Sequence, residues 1–357
     1  MRVPRKLLPR RFVSIGGVIG LAALLAGPPG VAAADPVGLP LPPDIVGVGS
    51  DTSEGLFDQL SAEYNGHPSP PLQRRLYSYQ ATGPSPIRPK ALCDKIERPN
   101  GTSPARAAML NRQVLPTGAP CLDFYRSIAG RLPGDPANMV YAPFALDSLT
   151  WAANEVSNAP AALTLAQLKA IIECTATTWD QVGGTSTDTI QLFLPTDGPG
   201  LRAFIQRVGG ATPGPCAHFG LQADVGTIPE LVGNPNAVLF YAVGKYLAQT
   251  EYHHDDVHGT IRLGVIDGAS PTVVNPSTGR TEINVGQAPG VAPFPSNFYF
   301  LESVGMFADA VTGALDPDLA NLFVGSAAWI CTAAGARVAI ADFGLLNLPP
   351  SLCGQRQ

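Results

Sequence analysis

The sequence is poor in charge. Asp, Glu, Lys and Arg supply 14% of its 357 residues, with no block of like sign. That excludes the clustered basic face of a nucleic-acid binder. The apolar stretch Phe12 to Gly27 has 16 residues, short of the ~20 that a membrane-spanning helix needs. No Cys-x-x-Cys pair occurs, which leaves a zinc site without its usual anchor. There is no Gly-x-Ser-x-Gly elbow and no His-Glu-x-x-His motif, so the common signatures of a hydrolase are missing and the chain reads as a non-enzyme without a cofactor. No internal repeat of 20–50 residues appears, which argues against a solenoid or propeller.

Hydrophobic residues make up 45% of the chain, enough for a large core or two lobes, and 38 glycines and 36 prolines imply many turns. The first residues carry Arg2, Arg5, Lys6, Arg10 and Arg11 and no acid, ahead of the apolar stretch and an Ala32-Ala33-Ala34 site before Asp35. This is the pattern of a cleaved export signal over residues 1–34, and with no cysteine near the cut a lipid anchor is not expected. Loss of those five cations takes the net charge from −5 to −10, so any anion site must rely on local donors rather than long-range steering. The expected place of the protein is outside the cytoplasm, secreted or in the cell envelope. Six cysteines suit that compartment. Sequence alone leaves their connectivity open. Pairing of neighbours, Cys93–Cys121, Cys174–Cys216 and Cys331–Cys353, is preferred, each bridge being worth ~2–4 kcal/mol.

After a Pro-rich leader at 35–43, the pattern alternates between strand and helix. Ile45 to Val48 reads as a strand, Gly49 to Thr52 as a turn, and Leu56, Phe57, Leu60 and Tyr64 fall at helical spacing. Asp51, Thr52 or Ser53 can cap that helix. Asn100 to Ser103 is a turn into a second helix, with Pro104 near its start. Met139 to Phe144 reads as a buried strand that gives way to a polar turn at Asp147 and Ser148. Thr164 caps a helix bearing Leu165, Leu168, Ile171 and Ile172. A strand at "TIQLFLP" leads into the glycine-rich "TDGPGLR" and a helix from about Leu201. Residues 270–296 suggest a β-ribbon. "LDPDLANLFVGSAAWICTA" reads as one terminal helix capped near Asp316, and "ARVAIADFGLLNLP" ends the chain. The sum is an α/β protein of two lobes.

The ordered set "VGVGSDTSEGLFDQLSAEYN", "ERPNGTSPA", "LDFYRS", "YAPFALDSLTWA", "LTLAQLKAIIECTATTWDQVGG", "LPTDGPGLRAF", "PFPSNFYF" and "DPDLANLFVGSAAWIC" resembles the phosphate-type extracytoplasmic solute-binding proteins, in an actinobacterial-like branch. The resemblance implies a periplasmic-binding-protein type 2 fold: two α/β lobes, hinge strands and a central cleft. It places lobe 1 at 44–143 plus 297–357 and lobe 2 at 144–296. It implies a monomer that clamps a small oxyanion or polar solute and works with an ABC importer. Ser50, Asp51 and Thr52 match the family's first ligand loop, Thr102 and Ser103 the second, and Ser127 the serine of "DF-x-x-S". Gly198, Gly200 and Arg202 match its glycine loop, with Asp197 beside them, and Arg126 is a further cation. Such loops suit an oxyanion because helix N-termini and hydroxyls converge as donors. Three departures alter the match. Pro199 replaces a serine and lacks an N–H, Leu201 replaces a threonine, and Ile128 stands where phosphate binders carry a proton-accepting aspartate.

Two other readings remain. The same fold with an altered cleft would serve as an adhesin, sensor or structural partner in the envelope. A metal-dependent secreted hydrolase would use His253, His254, Asp255, Asp256 and His258, all metal-ligand types, although their stretch reads as a loop ending at Gly259.

Overall fold

The computed structural model describes residues 35–66, 74–195, 205 and 210–357. The leader at 1–34 and the loop Thr196 to Arg202 lie outside the described residues. Strand β1 (Ile45–Gly49) is buried along its whole length, as its β-branched composition requires for a parallel strand covered on both faces. It lies parallel to β2 (Leu76–Ser78) on one side and β3 (Phe124–Ser127) on the other. Helix α1 (Glu54–Gly66) joins β1 to β2 and buries Leu56, Phe57, Leu60 and Tyr64, one stripe at helical spacing. Helix α2 (Thr102–Leu110) precedes β3 and buries Ala105 and Met109.

The long strand β4 (Met139–Asn154) corrects the sequence reading, which turned the chain at Asp147 and Ser148. The strand carries the polar pair inside it, with one carboxylate oxygen of Asp147 held by backbone donors. Asp147 Oδ1 accepts the Ser148 N–H at 2.6 Å and the Gly244 N–H at 2.8 Å. With its backbone also paired to Tyr299 and Phe300, this segment has no need to turn toward water.

Beyond β4 come β5 (Ala162–Leu163), α3 (Leu165–Ile172), β6 (Gln191–Leu194), β7 (Ala217–Phe219), β8 (Ala237–Ala242) and α4 (Val243–Thr250). Thr164 caps α3 as read, in a reciprocal capping box with Gln167. Strands β9 (Ile261–Leu263) and β10 (Val265–Ile266) follow, and β11 (Thr272–Val274) and β12 (Thr281–Ile283) form the antiparallel ribbon. Strand β13 (Tyr299–Phe307) then returns antiparallel to β4, in register from Tyr299 against Ser148 to Phe307 against Met139, with an irregularity between Glu302 and Ser303.

The chain closes with α5 (Pro317–Phe323), α6 (Trp329–Thr332), α7 (Ala334–Asp342) and β14 (Leu346–Asn347). Asp316 caps α5 and Pro317 opens it. The single helix expected over 315–333 is instead two. Gly325, at φ +88°, breaks the first from the second, and "ARVAIAD", read as part of the chain's end, is helical.

The main sheet runs β2-β1-β3-β13-β4-β8-β6-β7, with β14 and β9 also on β4. Two large apolar clusters flank this path. One packs Phe57, Phe124, Phe144, Val304 and Phe323; the other packs Trp151, Trp179, Leu192, Phe240 and Phe300. Along β4 the core changes between Ala145 and Leu149, and along β13 between Phe300 and Val304. The three disulfides join Cys93 to Cys121, Cys174 to Cys216 and Cys331 to Cys353, the pairing preferred from sequence, and no cysteine is free.

Trp151 sets a steric limit in the second core. Its indole lies fully buried against the backbone of Gly264, where an added Cβ would fall 1.9 Å from Cε2. Gly264→Ala is expected to cost about 2–3 kcal/mol through overpacking, read as a lower urea midpoint. A midpoint equal to that of the parent would contradict this packing.

Candidate functional site

Parallel strands that share a direction deliver their carboxyl ends to one edge, where α/β proteins place ligands. At the edge formed by β2, β1 and β3, the chain leaves β1 through Gly49, whose φ of +141° and approach to Arg126 O, 2.5 Å from a built Cβ, admit only glycine. Ser50 N–H then donates to Arg126 O at 3.3 Å. Ser50 Oγ and Thr52 Oγ1 lie 2.9 Å apart, Thr52 Oγ1 donates to Glu302 Oε1, and Ser53 Oγ donates to Glu302 Oε2 at 2.9 Å. A bridge between Gly49 and Asn100 draws the second loop alongside. There Thr102 Oγ1 accepts the Ile128 N–H at 3.2 Å, and Ser127 Oγ accepts the Ala129 N–H at 3.2 Å. The structure thus gathers Ser50, Thr52, Thr102 and Ser127 at one strand-end edge, all buried. Asp51 and Ser103 sit there half-buried.

Arg126 is on β3 but turned inward and fully enclosed. Its Nε donates to Ser50 O at 3.0 Å, and Nη1 donates to Tyr79 O at 2.9 Å and to Ser78 Oγ. The guanidinium therefore ties the ends of β1 and β2 together. Burial lowers its pKa, with Glu54, Asp58, Glu302 and Asp51 acting in the opposite sense. Ile128 is packed against the second apolar cluster. Asp197, Gly198, Gly200 and Arg202 lie outside the described residues.

Several groups at this site escaped the sequence reading. Glu302 is a lone acid in the apolar strand "FYFLESV", and that isolation was its one signal. Burial, and less strongly the neighbouring Asp147, push its pKa up to about 8 against the donors Thr52, Ser53 and Arg126. On the other half, β8 runs straight into α4, so Lys245 falls in the first turn after a strand end. Its Nζ lies 3.4 Å from Asp224 Oδ2. Asp224 is pushed up to about 7, by burial first and by Asp51 and Glu54 as well, against Lys245. Asp51 is also raised, by burial and Glu54, with Lys245 opposing. Groups from both halves therefore feel one another's charge.

The His/Asp stretch does not converge. His254 stacks on Phe343, with ring centroids 4.2 Å apart, while His258 Nδ1 contacts Asp256 Oδ1. Asp255 Oδ2 lies 3.7 Å from where a Cβ on Gly55 would sit. Among the described residues no group of three or more His, Cys, Asp or Glu side chains could hold a metal ion.

The buried acids set a pH dependence. Glu302 has a folded pKa of about 8 against an ordinary 4.5, and Asp147 one of about 7 against 3.8. The folded state therefore holds more protons than the unfolded state between those limits, and stability falls as pH rises through that window. Unfolding by urea is expected to need less denaturant at pH 8 than at pH 5, and Glu302→Gln is expected to flatten the decline. A stability that climbs over this range would contradict the burial of these carboxyls.

A family model described as a PBP superfamily domain matches residues 125–303. No curated protein matches the chain. Among solved structures, a Clostridium perfringens protein crystallised with phosphate bound superposes with a TM-score of 0.56 at 15% identity, over 86% of this chain and 100% of that one. An ABC-type phosphate transport receptor from Vibrio cholerae superposes with a TM-score of 0.52, also at 15% identity, over 86% of this chain and 100% of its own. The shared plan is the two-lobed α/β fold of periplasmic binding proteins. With half of its length matched by the family model, the chain belongs to the PBP superfamily.

Proposed function

We propose that this protein is a secreted or cell-envelope solute-binding protein. It clamps a small polar solute between two lobes and passes it to an ABC-type importer. The observation that carries this reading is the meeting of two strand ends, Ser50 to Glu54 after β1 and the first turn of α4 at Gly244 and Lys245 after β8, whose charges act on one another. Lobe 1 comprises 44–143 with 297–357 and lobe 2 comprises 144–296, in keeping with two apolar cores that change over along β4 and β13. The two crossing strands act as the hinge, and closure over the solute is a hinge motion. Membership of a superfamily of binding proteins supports the role. So does the apolar, Ala-x-Ala-terminated leader, which suits export and release. Among the described residues no helix is long and apolar enough to cross a membrane.

One observation favours a second reading, the same fold with a fixed cleft and an adhesive, sensing or structural role. Contacts already join the halves away from the site. Arg280 Nη2 reaches Asp342 Oδ1 at 2.8 Å, and His254 stacks on Phe343.

Small-angle scattering and thermal unfolding against a panel of small polar solutes separate the two. Phosphate, the solute named for the solved relatives, heads the panel, followed by sulfate, amino acids and amines. The transport reading expects at least one solute to shrink the radius of gyration and raise Tm together. A panel in which no solute changes either quantity supports the fixed-cleft reading and overturns uptake.

A further inference from the structure

The charges that meet across the strand ends are mostly negative. Asp51 and Glu54 follow β1; Asp224 precedes β8 and Lys245 follows it. Lys245 Nζ pairs with Asp224 Oδ2 at 3.4 Å, and Asp51 and Glu54 are both near enough to favour its charged form. Among the described residues, three carboxylates thus share one ammonium. The second described cation of the region, Arg126, is enclosed and tied through Nε and Nη1 to Ser50 O, Tyr79 O and Ser78 Oγ, leaving only its buried Nη2 without a partner. The surrounding elements add further acids: Asp58 on α1, Asp147 on β4 and Glu302 on β13.

Two buried carboxylate oxygens also lack any donor. Asp224 is 3% exposed, and its Oδ1, the atom beside the one that holds Lys245, has no hydrogen-bond partner. Asp147 is 0% exposed, and its Oδ2 is likewise unpartnered. An ionised carboxylate only accepts hydrogen bonds. A buried acceptor left without a donor costs ~1–3 kcal/mol, and more when charged. An oxyanion would bring only further acceptors and like charge to this cluster. An ammonium or guanidinium group would bring the missing donors together with the missing charge, in short charge-assisted bonds.

We propose that the cleft takes a solute bearing an ammonium or guanidinium group, held by Asp51, Glu54 and Asp224, in place of the oxyanion taken by the solved relatives. This rests on the solute-binding reading and narrows its substrate class. Lys245 supplies part of the counter-charge and the solute completes it. The raised proton affinities of Asp51 and Asp224 agree: both acids lie buried beside too little positive charge. Arrival of the cation ionises them, so protons leave as it binds, and affinity increases with pH through about 7, where Asp224 titrates.

The test is titration calorimetry on the full disulfide-bonded chain at pH 7, with putrescine, agmatine and inorganic phosphate as probes, each in two buffers of different ionisation enthalpy. Putrescine or agmatine is expected to bind with proton release, and phosphate to give no binding heat. Asp224→Asn is expected to weaken the amine at least tenfold. Asp51→Asn, at a half-buried position that tolerates change, is expected to do so in the same direction, which guards against a misfolded Asp224 variant. Phosphate binding overturns the charge preference and leaves the solute-binding reading standing. Amine binding that neither variant weakens places the amine elsewhere and overturns the assignment. If no probe binds, and the wider panel is also silent, both readings fall; if another solute of that panel closes the cleft, only the amine assignment falls.

Discussion

The antiparallel ladder between β4 and β13 is the constraint on which the rest of the structure depends. It passes from one apolar core into the other, and the ladder's own buried polar residues sit where it does so. Asp147 and Ser148 on β4 and Glu302 and Ser303 on β13 are buried at that changeover. Each is an expensive residue to bury. Their hydrogen bonds lead outward to the strand-end loops, from Glu302 to Thr52 and Ser53 in one direction and from Asp147 to Gly244 in the other. The crossing strands therefore do more than join two cores. They fix the position of both strand ends, and any rotation about the ladder would move those ends relative to each other.

This arrangement explains why Arg126 faces inward. A cation at the mouth of the site would serve an oxyanion, but here the guanidinium links the ends of β1 and β2 and offsets acids that the loops bring inside. With that cation withdrawn and Ile128 packed into the second core, the features that suit a phosphate are thinned out on the first half. Acidic side chains remain at the loop ends, and the one ammonium that crosses toward them comes from α4. A shared fold and an altered guest are compatible, because the fold is held by the cores and the ladder while the guest is chosen by a few loop side chains.

Much of the scaffold was legible in the sequence. Thr164 with Gln167 announces α3, Asp316 with Pro317 announces α5, and the stripe of Leu56, Phe57, Leu60 and Tyr64 marks α1, because caps and helical spacing are local signals. The neighbouring cysteine pairs were readable from compartment and order. The site was legible only in part. Ser50, Thr52, Thr102 and Ser127 stand out as hydroxyls in loops at strand and helix ends. Glu302, Asp224 and Lys245 do not, because what makes each of them matter is a partner far along the chain. Asp147 and Ser148 misled for the same reason. A polar pair in an apolar run signals a turn unless a distant N–H, here that of Gly244, is there to satisfy it. The break of the terminal helix turned on Gly325 adopting a left-handed conformation, which a lone glycine does not announce.

Hydrogen exchange offers the most direct measurement of the central claim, that one guest is gripped by loops from both halves steered by the same two strands. The full chain would be followed with and without a solute that raises its Tm. The account predicts that amides of Ser50 to Glu54 and of Gly244 to Tyr246 gain protection together, while the β4–β13 ladder is unchanged. Protection confined to one half, or appearing only on surfaces away from both loops, would contradict it.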